Sequence, residues 1–467
     1  MIPIKLSYIA ETLGWQLFGD DAVINNICTD SRSVSKGDCF IALYGDSFDA
    51  HAFLPQVIEQ GACALIVSIK QEGCNLPQLL VDDTRLALAK IAGLVKSLAN
   101  VKTVAITGSC GKTTVKEMLS SILSQRGKVL ATKGNFNNDI GAPLTLLRLT
   151  QEHQFAVIEL GANHVGEIDF TSHITQPDIA IITNIGAAHL EGFGGIEGVV
   201  KAKSEIFNHL NSNGYAIFDA DSEYSMQWQQ QNNKHHIACF GDNPTAGEHN
   251  VWASDVVLDE QGCAQFILNT VKEKIFISLN IPGLHNVKNA LSAGAAALAL
   301  GFELDIISHG LSAMGEVKGR LNVLKITSNM TVIDDTYNAN ESSITAAINV
   351  LASYQGSKIL VLGDMAELGK YAIKSHQSLG AIIEQNNIDL LLTFGELSSH
   401  YSHRFNGIHH HFNDKNSLNN YIEQEVMNNK TTRNTTMLVK GSRSATMESV
   451  VQFIQNHNNN NGALIQC

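Results

Sequence analysis

The segment of residues 104–114, VAITGSCGKTT, constrains this chain more than any other feature. Its apolar start predicts a buried strand, Gly108 and Gly111 bound a turn, and Lys112 opens a helical pattern that runs to about residue 125. A strand, a glycine-rich turn and a helix N-terminus form a phosphate site, because free backbone N–H groups and the helix dipole favour an anion there. The predicted nucleotide-contacting residues of this loop are Gly108, Ser109, Cys110, Gly111, Lys112, Thr113 and Thr114.

Two side chains of this loop carry the predicted chemistry. Lys112 would reach the terminal phosphates of a nucleotide, and the Thr113 hydroxyl would ligate Mg²⁺. The general phosphate-loop pattern has an earlier glycine where this chain has Ile106, so only the shorter form T-G-x-x-G-K-T is present. A purely structural turn would explain the glycines, but it would not explain the lysine and threonines beside them.

Composition limits the classes of function that this chain can have. A length of 467 residues predicts about three domains. The formal net charge of −13 disfavours nonspecific binding to nucleic acid and to anionic membranes. The first residues contain no long apolar segment, so we expect no signal peptide, and no run of about 18 apolar residues predicts a membrane span. Eight scattered cysteines without CxxC spacing indicate reduced thiols in a cytoplasmic protein.

The patterns of strands and helices divide the chain into three α/β units. Residues 1–100 contain short apolar runs followed by one helical segment. Residues 101–316 contain continuous apolar runs, which predict a parallel sheet covered on both faces, then antiparallel strands and a long helix at 285–300. In residues 317–467 the alternation of strands and helices restarts without a second phosphate loop, and the histidines at 409–411 are interpreted as part of a polar surface loop.

Three further polar residues follow or lie near predicted strands of the middle unit. Glu159 ends a buried strand, and ligands of open α/β sheets bind beyond the carboxyl ends of strands, so Glu159 is a candidate for holding Mg²⁺. His189 lies just past another buried strand, and Lys203 follows it by fourteen residues in a helical pattern. A loop carboxylate, a structural histidine and a solvated lysine are the alternative interpretations.

The chain resembles the ATP-dependent Mur ligases of peptidoglycan synthesis over nearly its full length. The shared signature is the motif T-G-x-x-G-K-T, then Glu159, then His189 followed by Lys203. In that family the lysine is carbamylated and binds a second Mg²⁺, which implies ATP and two Mg²⁺ ions as cofactors. The resemblance implies Lys112, Glu159, His189 and Lys203 as catalytic residues, and Thr113, Glu159, His189 and Lys203 as metal-binding residues.

The resemblance also implies the fold and the domain boundaries. It implies an N-terminal UDP-sugar-binding α/β domain at 1–100, a central ATP-binding domain with a parallel sheet at 101–316, and a C-terminal Rossmann-like α/β ligase domain at 317–467. One departure from the family is Glu341, which stands where a proline is common after Asn-Ala-Asn and could alter a helix start.

Further binding residues follow from the same resemblance. Asn286 and Asn289 resemble the adenine-side segment, although Asn286 could simply cap or pack the long helix. Arg320 resembles a phosphate-reaching arginine, and Asp335 resembles an acid on the ribose or phosphate side. The implied UDP-sugar-binding residues are Ser31, Arg32, Asn135 and Asn138, of which the first two could equally form only a turn.

Several segments resemble one ligase of the family in particular, the one that adds D-alanyl-D-alanine to UDP-N-acetylmuramoyl-tripeptide. These segments are residues 133–143, 159–168, 184–194, 333–340, 362–369 and 439–443. The implied reaction proceeds through an acyl phosphate, with both organic molecules as substrates, no nucleic-acid or membrane partner, and a cytoplasmic monomer. The alternatives are another ligase of this superfamily, such as a folylpolyglutamate synthetase or an earlier Mur ligase, and a phosphate-loop switch that only changes conformation.

Overall fold

The apolar runs of the middle of the chain assemble into one nine-stranded sheet in the computed structural model, which describes residues 1–45, 48–243, 247–428 and 433–464. The first seven strands in spatial order run parallel, and each of the last two pairs antiparallel with the strand before it. In spatial order the strands are Lys128–Ala131, His153–Glu159, Lys102–Thr107, Ile179–Ile182, Tyr215–Asp219, His236–Gly241, Val251–Leu258, Cys263–Asn269 and Lys274–Pro282. The predicted parallel sheet and the antiparallel strands after it are confirmed. The strand His236–Gly241 was not predicted, because histidines and asparagines precede its short apolar run.

Helices cover both faces of this sheet. They are Lys112–Leu123, Gly141–Leu146, Glu167–Thr175, Leu190–Phe193, Ile196–Ser204, Ser225–Gln231, His285–Ala299 and Leu304–Ser312. The alanine-rich helix His285–Ala299 packs against Lys112–Leu123, so that small side chains bring the two helices close together. A Cβ at Gly310 would lie 2.5 Å from the Cα of Ile122, which explains why glycine stands where helix Leu304–Ser312 crosses Lys112–Leu123.

The first unit is a smaller five-stranded sheet that shares its core with the middle unit. Its strands, in spatial order, are Gln16–Phe18, Gln78–Leu80, Ala64–Val67, Cys39–Ile41 and Ile27–Cys28. Its helices are Leu6–Leu13, Leu54–Glu59 and Thr84–Leu98, and two small ribbons pair Ile4–Lys5 with Val23–Ile24 and Tyr44–Gly45 with Phe48–Asp49. Helix Thr84–Leu98 packs Ile91 and Val95 into one apolar cluster with Leu146 and Ile168 of the middle unit.

The third unit is a six-stranded sheet in which a single edge strand is antiparallel. In spatial order its strands are Asn322–Lys325, Met330–Asp335, Thr435–Lys440, Ser357–Gly363, Leu390–Phe394 and Ile408–Phe412. Its α-helices are Glu341–Ser353, Ala372–Gln385, Lys415–Tyr421 and Glu448–Leu464. The Asn340 side chain accepts a 2.9 Å hydrogen bond from the Ser343 N–H, so the helix that starts at Glu341 is capped without a proline. Three α/β units with largely parallel sheets confirm the predicted fold class.

The histidines at 409–411 do not form the predicted surface loop. They lie in the edge strand Ile408–Phe412, where they are exposed, and Nδ1 of His411 is 2.9 Å from the Thr393 hydroxyl. The prediction failed because this edge strand pairs on one side only and faces solvent, so it lacks the apolar pattern of an inner strand. Within the described ranges, no three His, Cys, Asp or Glu side chains group as a metal site.

Two other predictions concern the chain as a whole. The seven cysteines whose surroundings the structure describes are free thiols. No helix among the described residues has both the length and the apolar character needed to cross a membrane.

The two interfaces between units differ in chemistry. The first and middle units share a continuous apolar core, whereas the contacts of the third unit with the middle unit include several polar ones. Cys110 Sγ lies 3.2 Å from Oδ1 of Asn340, and the Tyr354 hydroxyl donates to the Gln261 carbonyl at 3.1 Å. Exposing an apolar core to water costs more free energy than exchanging such polar contacts for contacts with water. We therefore expect the third unit to move relative to the other two.

We therefore predict that ligands shift the third unit against a rigid pair formed by the first two. Small-angle scattering of the free protein should give a larger radius of gyration than this structure, and an ATP analogue with the UDP-linked precursor should lower it. Domain closure around ligands by hinge motion is the expected physical cause. Superimposable scattering curves with and without both ligands would contradict the prediction.

Candidate active site

The strand register brings three polar segments to one edge of the central sheet. Strand Lys102–Thr107 lies between His153–Glu159 and Ile179–Ile182, and Ile106 is in register with both Glu159 and Ile181. The carboxyl ends of the three strands therefore coincide. The phosphate loop, Glu159 and the polar residues after Ile182 meet in one crevice, as ligand sites of open α/β sheets do.

The phosphate loop is held by residues that sequence reasoning did not single out. The Thr183 hydroxyl and the Asn184 amide donate to the Cys110 carbonyl at 2.5 and 3.0 Å, and Asn184 Oδ1 accepts the Cys110 N–H at 2.9 Å. Gly111 has a φ of +80°, and a Cβ there would lie 2.4 Å from Oδ1 of Asn289. Thr183 and Asn184 were marked by their position at the end of a buried strand, and Asn184 also begins the family-like segment 184–194.

Lys112 stands over this loop with its ammonium bound to a backbone carbonyl. Its ammonium donates to the Gly108 carbonyl at 2.7 Å. Burial lowers the Lys112 pKa, the nearby Glu159 and Cys110 raise it, and Arg320 adds a smaller lowering effect. A cation that has lost much of its hydration gains strongly from an anion such as a phosphate oxygen.

Glu159 is buried and fixed through both of its oxygens. The Thr113 hydroxyl donates to Oε2 at 2.9 Å, and the Asn137 amide donates to Oε1 at 2.9 Å. This arrangement excludes the interpretation of Glu159 as an exposed loop carboxylate. Asn137 is a functional candidate that sequence reasoning missed, although it lies between the two asparagines that were predicted.

Lys203 is buried, with an exposed fraction of 2 %, so it is not the solvated helix lysine of the alternative interpretation. Burial and the repulsion of Lys112 lower the Lys203 pKa to about 7. Its Nζ lies 5.8 Å from the centre of the Phe193 ring. The His189 ring meets the same phenyl ring edge-on at 6.3 Å, so the structure brings the predicted histidine and lysine to one aromatic side chain.

The third unit contributes an arginine and a buried ion pair. Arg320 stacks over the Tyr337 ring at 4.2 Å, and its Nη2 lies 3.5 Å from the Thr113 hydroxyl. Asp335 accepts a 2.6 Å hydrogen bond from Lys440, which is 1 % exposed, and also a 3.3 Å bond from the Leu321 N–H. This pair fixes the chain beside Arg320. Lys440 was not singled out, and a ribose or phosphate role for Asp335 stays a prediction.

Asn286 and Asn289 brace the start of the long helix and also line the crevice. The Asn286 amide donates to the Pro282 carbonyl at 2.8 Å, and the Asn289 amide donates to Oδ1 of Asn286 at 2.8 Å. These bonds match the structural alternative for Asn286. Contact with adenine remains a prediction for both residues.

The four predicted UDP-sugar residues do not meet around one cavity. Asn135 and Asn138 line the crevice, and Oδ1 of Asn138 accepts the Gly141 N–H at 2.8 Å. Ser31 and Arg32 lie on a turn of the first unit outside the crevice lining, and Arg32 pairs with Asp30 at 2.7 Å. The roles of all four residues in binding stay predictions.

The crevice as a whole lies between the middle and third units and has a volume of about 1500 Å³. The predicted residues that line it are Ser109, Cys110, Gly111, Lys112, Thr113, Thr114, Asn135, Asn138, Glu159, His189, Lys203, Asn286, Asn289, Arg320 and Asp335. Pockets for one small ligand usually measure about 300–1,000 Å³. This crevice therefore has room for a nucleotide and part of a second substrate.

Comparison with known proteins places this site in a family. Residues 23–96 match the catalytic domain of the Mur ligase family, residues 106–297 the Mur ligase middle domain, and residues 319–443 the Mur ligase glutamate ligase domain. The chain belongs to the Mur ligase family.

Three relatives illustrate how far the likeness extends. The UDP-N-acetylmuramoyl-tripeptide–D-alanyl-D-alanine ligase of Escherichia coli (strain K12) is 43% identical, over 97% of this chain and 99% of that protein. A crystal structure of MurF from Acinetobacter baumannii superposes with a TM-score of 0.91 at 38% identity, covering 97% and 99% of the two chains. The MurF ligase from Thermotoga maritima in complex with ADP gives a TM-score of 0.82 at 26% identity, covering 93% and 98%. The likeness thus spans all three units.

The position of Lys112 leads to a prediction about rate. Lys112→Ala removes the cation nearest the predicted terminal phosphate, and loss of one such transition-state contact typically lowers kcat on the order of 10²–10³-fold. The fold should survive, because the hydrogen bond from Lys112 to the Gly108 carbonyl is the one that its side chain makes among the described residues. Phosphate release by the purified variant measures the effect, with Lys128→Ala, an exposed lysine of the same unit, as the control. A folded Lys112→Ala enzyme with normal kcat would refute the assignment of the phosphate loop.

Proposed function

We propose that this chain is an ATP-dependent amide ligase that joins D-alanyl-D-alanine to UDP-N-acetylmuramoyl-tripeptide in peptidoglycan precursor synthesis. The observation that supports this most is the convergence of the phosphate loop, Glu159 and Lys203 in one crevice that a separate third unit completes. The E. coli relative that carries this name matches the chain over nearly its whole length. ATP is the nucleotide, in keeping with the ADP bound to the T. maritima relative.

The proposed reaction has two steps. The terminal carboxylate of the tripeptide attacks the γ-phosphorus of ATP, which forms an acyl phosphate and releases ADP. The amine of D-alanyl-D-alanine then attacks the acyl carbon, and the tetrahedral intermediate collapses to the amide as phosphate leaves and the amine loses a proton. Lys112 and the loop N–H groups stabilise the negative charge on the transferring phosphoryl group, and Arg320 approaches it from the third unit.

Two Mg²⁺ ions are proposed as cofactors, and the donor atoms fit them. The Thr113 hydroxyl and the Glu159 carboxylate are hard oxygen ligands at the edge of the phosphate loop, and His189 is the proposed nitrogen ligand. When bound, Mg²⁺ would neutralise charge on the phosphate oxygens. An unmodified ammonium at Lys203 does not fit beside a cation, so this residue needs a change of charge to contribute.

Carbamylation of Lys203 supplies that change. A neutral lysine amine adds to CO₂, forming an N–C bond and releasing one proton, and the product is an anionic carbamate. Burial beside Lys112 lowers the Lys203 pKa to about 7, so much of the amine is neutral near neutral pH. The resulting carboxylate-like oxygens are ligands that Mg²⁺ prefers.

The proposed substrates also imply where the enzyme works and in what state. ATP and a UDP-linked precursor are cytoplasmic metabolites, so we expect a cytoplasmic enzyme. A monomer is the proposed working form.

The proposed function predicts that ATP turnover needs both organic substrates. Phosphate release should be slow with ATP alone or with one substrate, and fast with UDP-N-acetylmuramoyl-tripeptide and D-alanyl-D-alanine together, because the amine consumes the acyl phosphate. Continuous phosphate assays of the four combinations measure this. Vigorous turnover with neither substrate would favour a phosphate-loop switch, and turnover with a different acceptor alone would favour another ligase of the superfamily.

The proposed carbamate predicts a rescue experiment. Lys203→Ala should fold and be nearly inactive, and acetate or formate should restore part of its activity by placing a carboxylate in the vacated space. Lys201→Ala is the matched control, since Lys201 is an exposed lysine on the same helix. Full activity of Lys203→Ala without any added carboxylate would reject the carbamate.

A further inference from the structure

A carboxylate of the third unit contacts the predicted metal-binding histidine of the middle unit. Oε2 of Glu367 pairs with Nδ1 of His189 across the boundary between the two units. A backbone hydrogen bond joins the same two segments, because the Glu191 N–H donates to the Glu367 carbonyl at 3.4 Å. Both side chains line the crevice that contains the phosphate loop.

Both partners of this contact have backbone conformations that non-glycine residues seldom adopt. The φ angle is +54° at His189 and +62° at Glu367. Such conformations cost energy and persist where the surrounding structure imposes them, most often at functional sites. Here they direct the two side chains toward each other from separate units.

The loop that carries Glu367 is fixed from the body of the third unit. The carboxylate of Asp364 accepts the N–H groups of Leu397 at 3.1 Å and Ser398 at 2.7 Å. The Met365 N–H donates to Nε2 of the buried His376 at 3.1 Å. Glu367 therefore moves with the third unit as one body, and its distance from His189 reports whether the two units are closed.

The pairing of Nδ1 with Glu367 determines how the other ring nitrogen of His189, Nε2, can bind a ligand. With Nδ1 engaged by Glu367, Nε2 is the ring nitrogen available to the crevice. A carboxylate bound to one nitrogen of a metal-binding histidine fixes its tautomer and orientation and makes the other nitrogen a better ligand. The same ring contacts Phe193, over which Lys203 lies, so the pairing also fixes His189 relative to Lys203.

We propose that Glu367 is a positioning residue for the ligase reaction. It reaches from the third unit, holds His189 through Nδ1 and presents Nε2 to the metal-binding side of the crevice when the units close. Closure thereby completes the metal site as well as bringing the substrates together. The proposal rests on the proposed function and adds a residue to it.

Two variants distinguish a role of Glu367 in orienting His189 from a role that only holds the middle and third units together. Glu367→Ala removes the acceptor, whereas Glu367→Gln keeps an oxygen of the same reach that accepts Nδ1–H without the charge. Glu396→Gln is the matched control, because Glu396 is an exposed carboxylate elsewhere on the third unit. Circular dichroism melting checks that each variant is folded.

The experiment compares steady-state kinetics with metal binding. Mn²⁺, a paramagnetic substitute for Mg²⁺, is titrated by electron paramagnetic resonance into the complex with a nonhydrolysable ATP analogue and UDP-N-acetylmuramoyl-tripeptide. Loss of a carboxylate behind a metal-binding histidine typically costs about 10–100-fold in metal affinity or activity. We expect Glu367→Ala to lose that much in both kcat and Mn²⁺ affinity, with the KM for D-alanyl-D-alanine unchanged. Glu367→Gln should lose less, and Glu396→Gln should match the unaltered enzyme.

Two results would overturn the proposal. The first is unchanged kcat and Mn²⁺ affinity in folded Glu367→Ala. The second is equal loss in the Ala and Gln variants with Mn²⁺ affinity unchanged, which would make Glu367 a purely adhesive contact. Failure of the proposed function would give a different result from failure of this proposal. The unaltered enzyme would then form no product from D-alanyl-D-alanine, and the comparison of Mn²⁺ affinities would still test the role of Glu367.

Discussion

The rest of the structure depends on two lysines, Lys112 and Lys203, that line one crevice. Lys112 is desolvated above the phosphate loop, and Lys203 is buried close enough for the charge of Lys112 to lower its pKa. Two partly dehydrated cations in a medium of low dielectric constant repel each other strongly. The arrangement is stabilised when an anion binds near Lys112 and when Lys203 gives up its positive charge. A bound nucleotide phosphate and the proposed carbamate would meet these two conditions.

The first and middle units hold these charges in place as one body, and the third unit packs against them. The parallel strands fix the phosphate loop, Glu159 and Thr183 at one edge of the sheet, and the shared apolar core fixes the first unit to the second. The third unit supplies Arg320 and Glu367 through polar contacts. Polar contacts of this kind can be exchanged for water, so the lining of the crevice is complete only when the third unit is closed against the middle unit.

Sequence alone could predict the parts of the site that depend on local pattern. The apolar run before Gly108 and the lysine after Gly111 predicted the strand, turn and helix, and the end of a buried strand predicted the position of Glu159. The contact of His189 with Glu367 and the pair of Asp335 with Lys440 join residues far apart in the chain, and no local pattern marks them. The edge strand Ile408–Phe412 was missed for a different reason: its histidines face solvent, so packing leaves no apolar periodicity there.

The central claim is that this crevice activates a carboxylate by phosphorylating it. The most direct measurement uses UDP-N-acetylmuramoyl-tripeptide labelled with ¹⁸O in its terminal carboxylate, followed by mass spectrometry of the released phosphate. An acyl phosphate carries one carboxylate oxygen into its phosphate when the amine attacks the acyl carbon. We therefore predict one ¹⁸O atom in each phosphate released during amide formation. Phosphate free of ¹⁸O, with amide product formed at the normal rate, would contradict it.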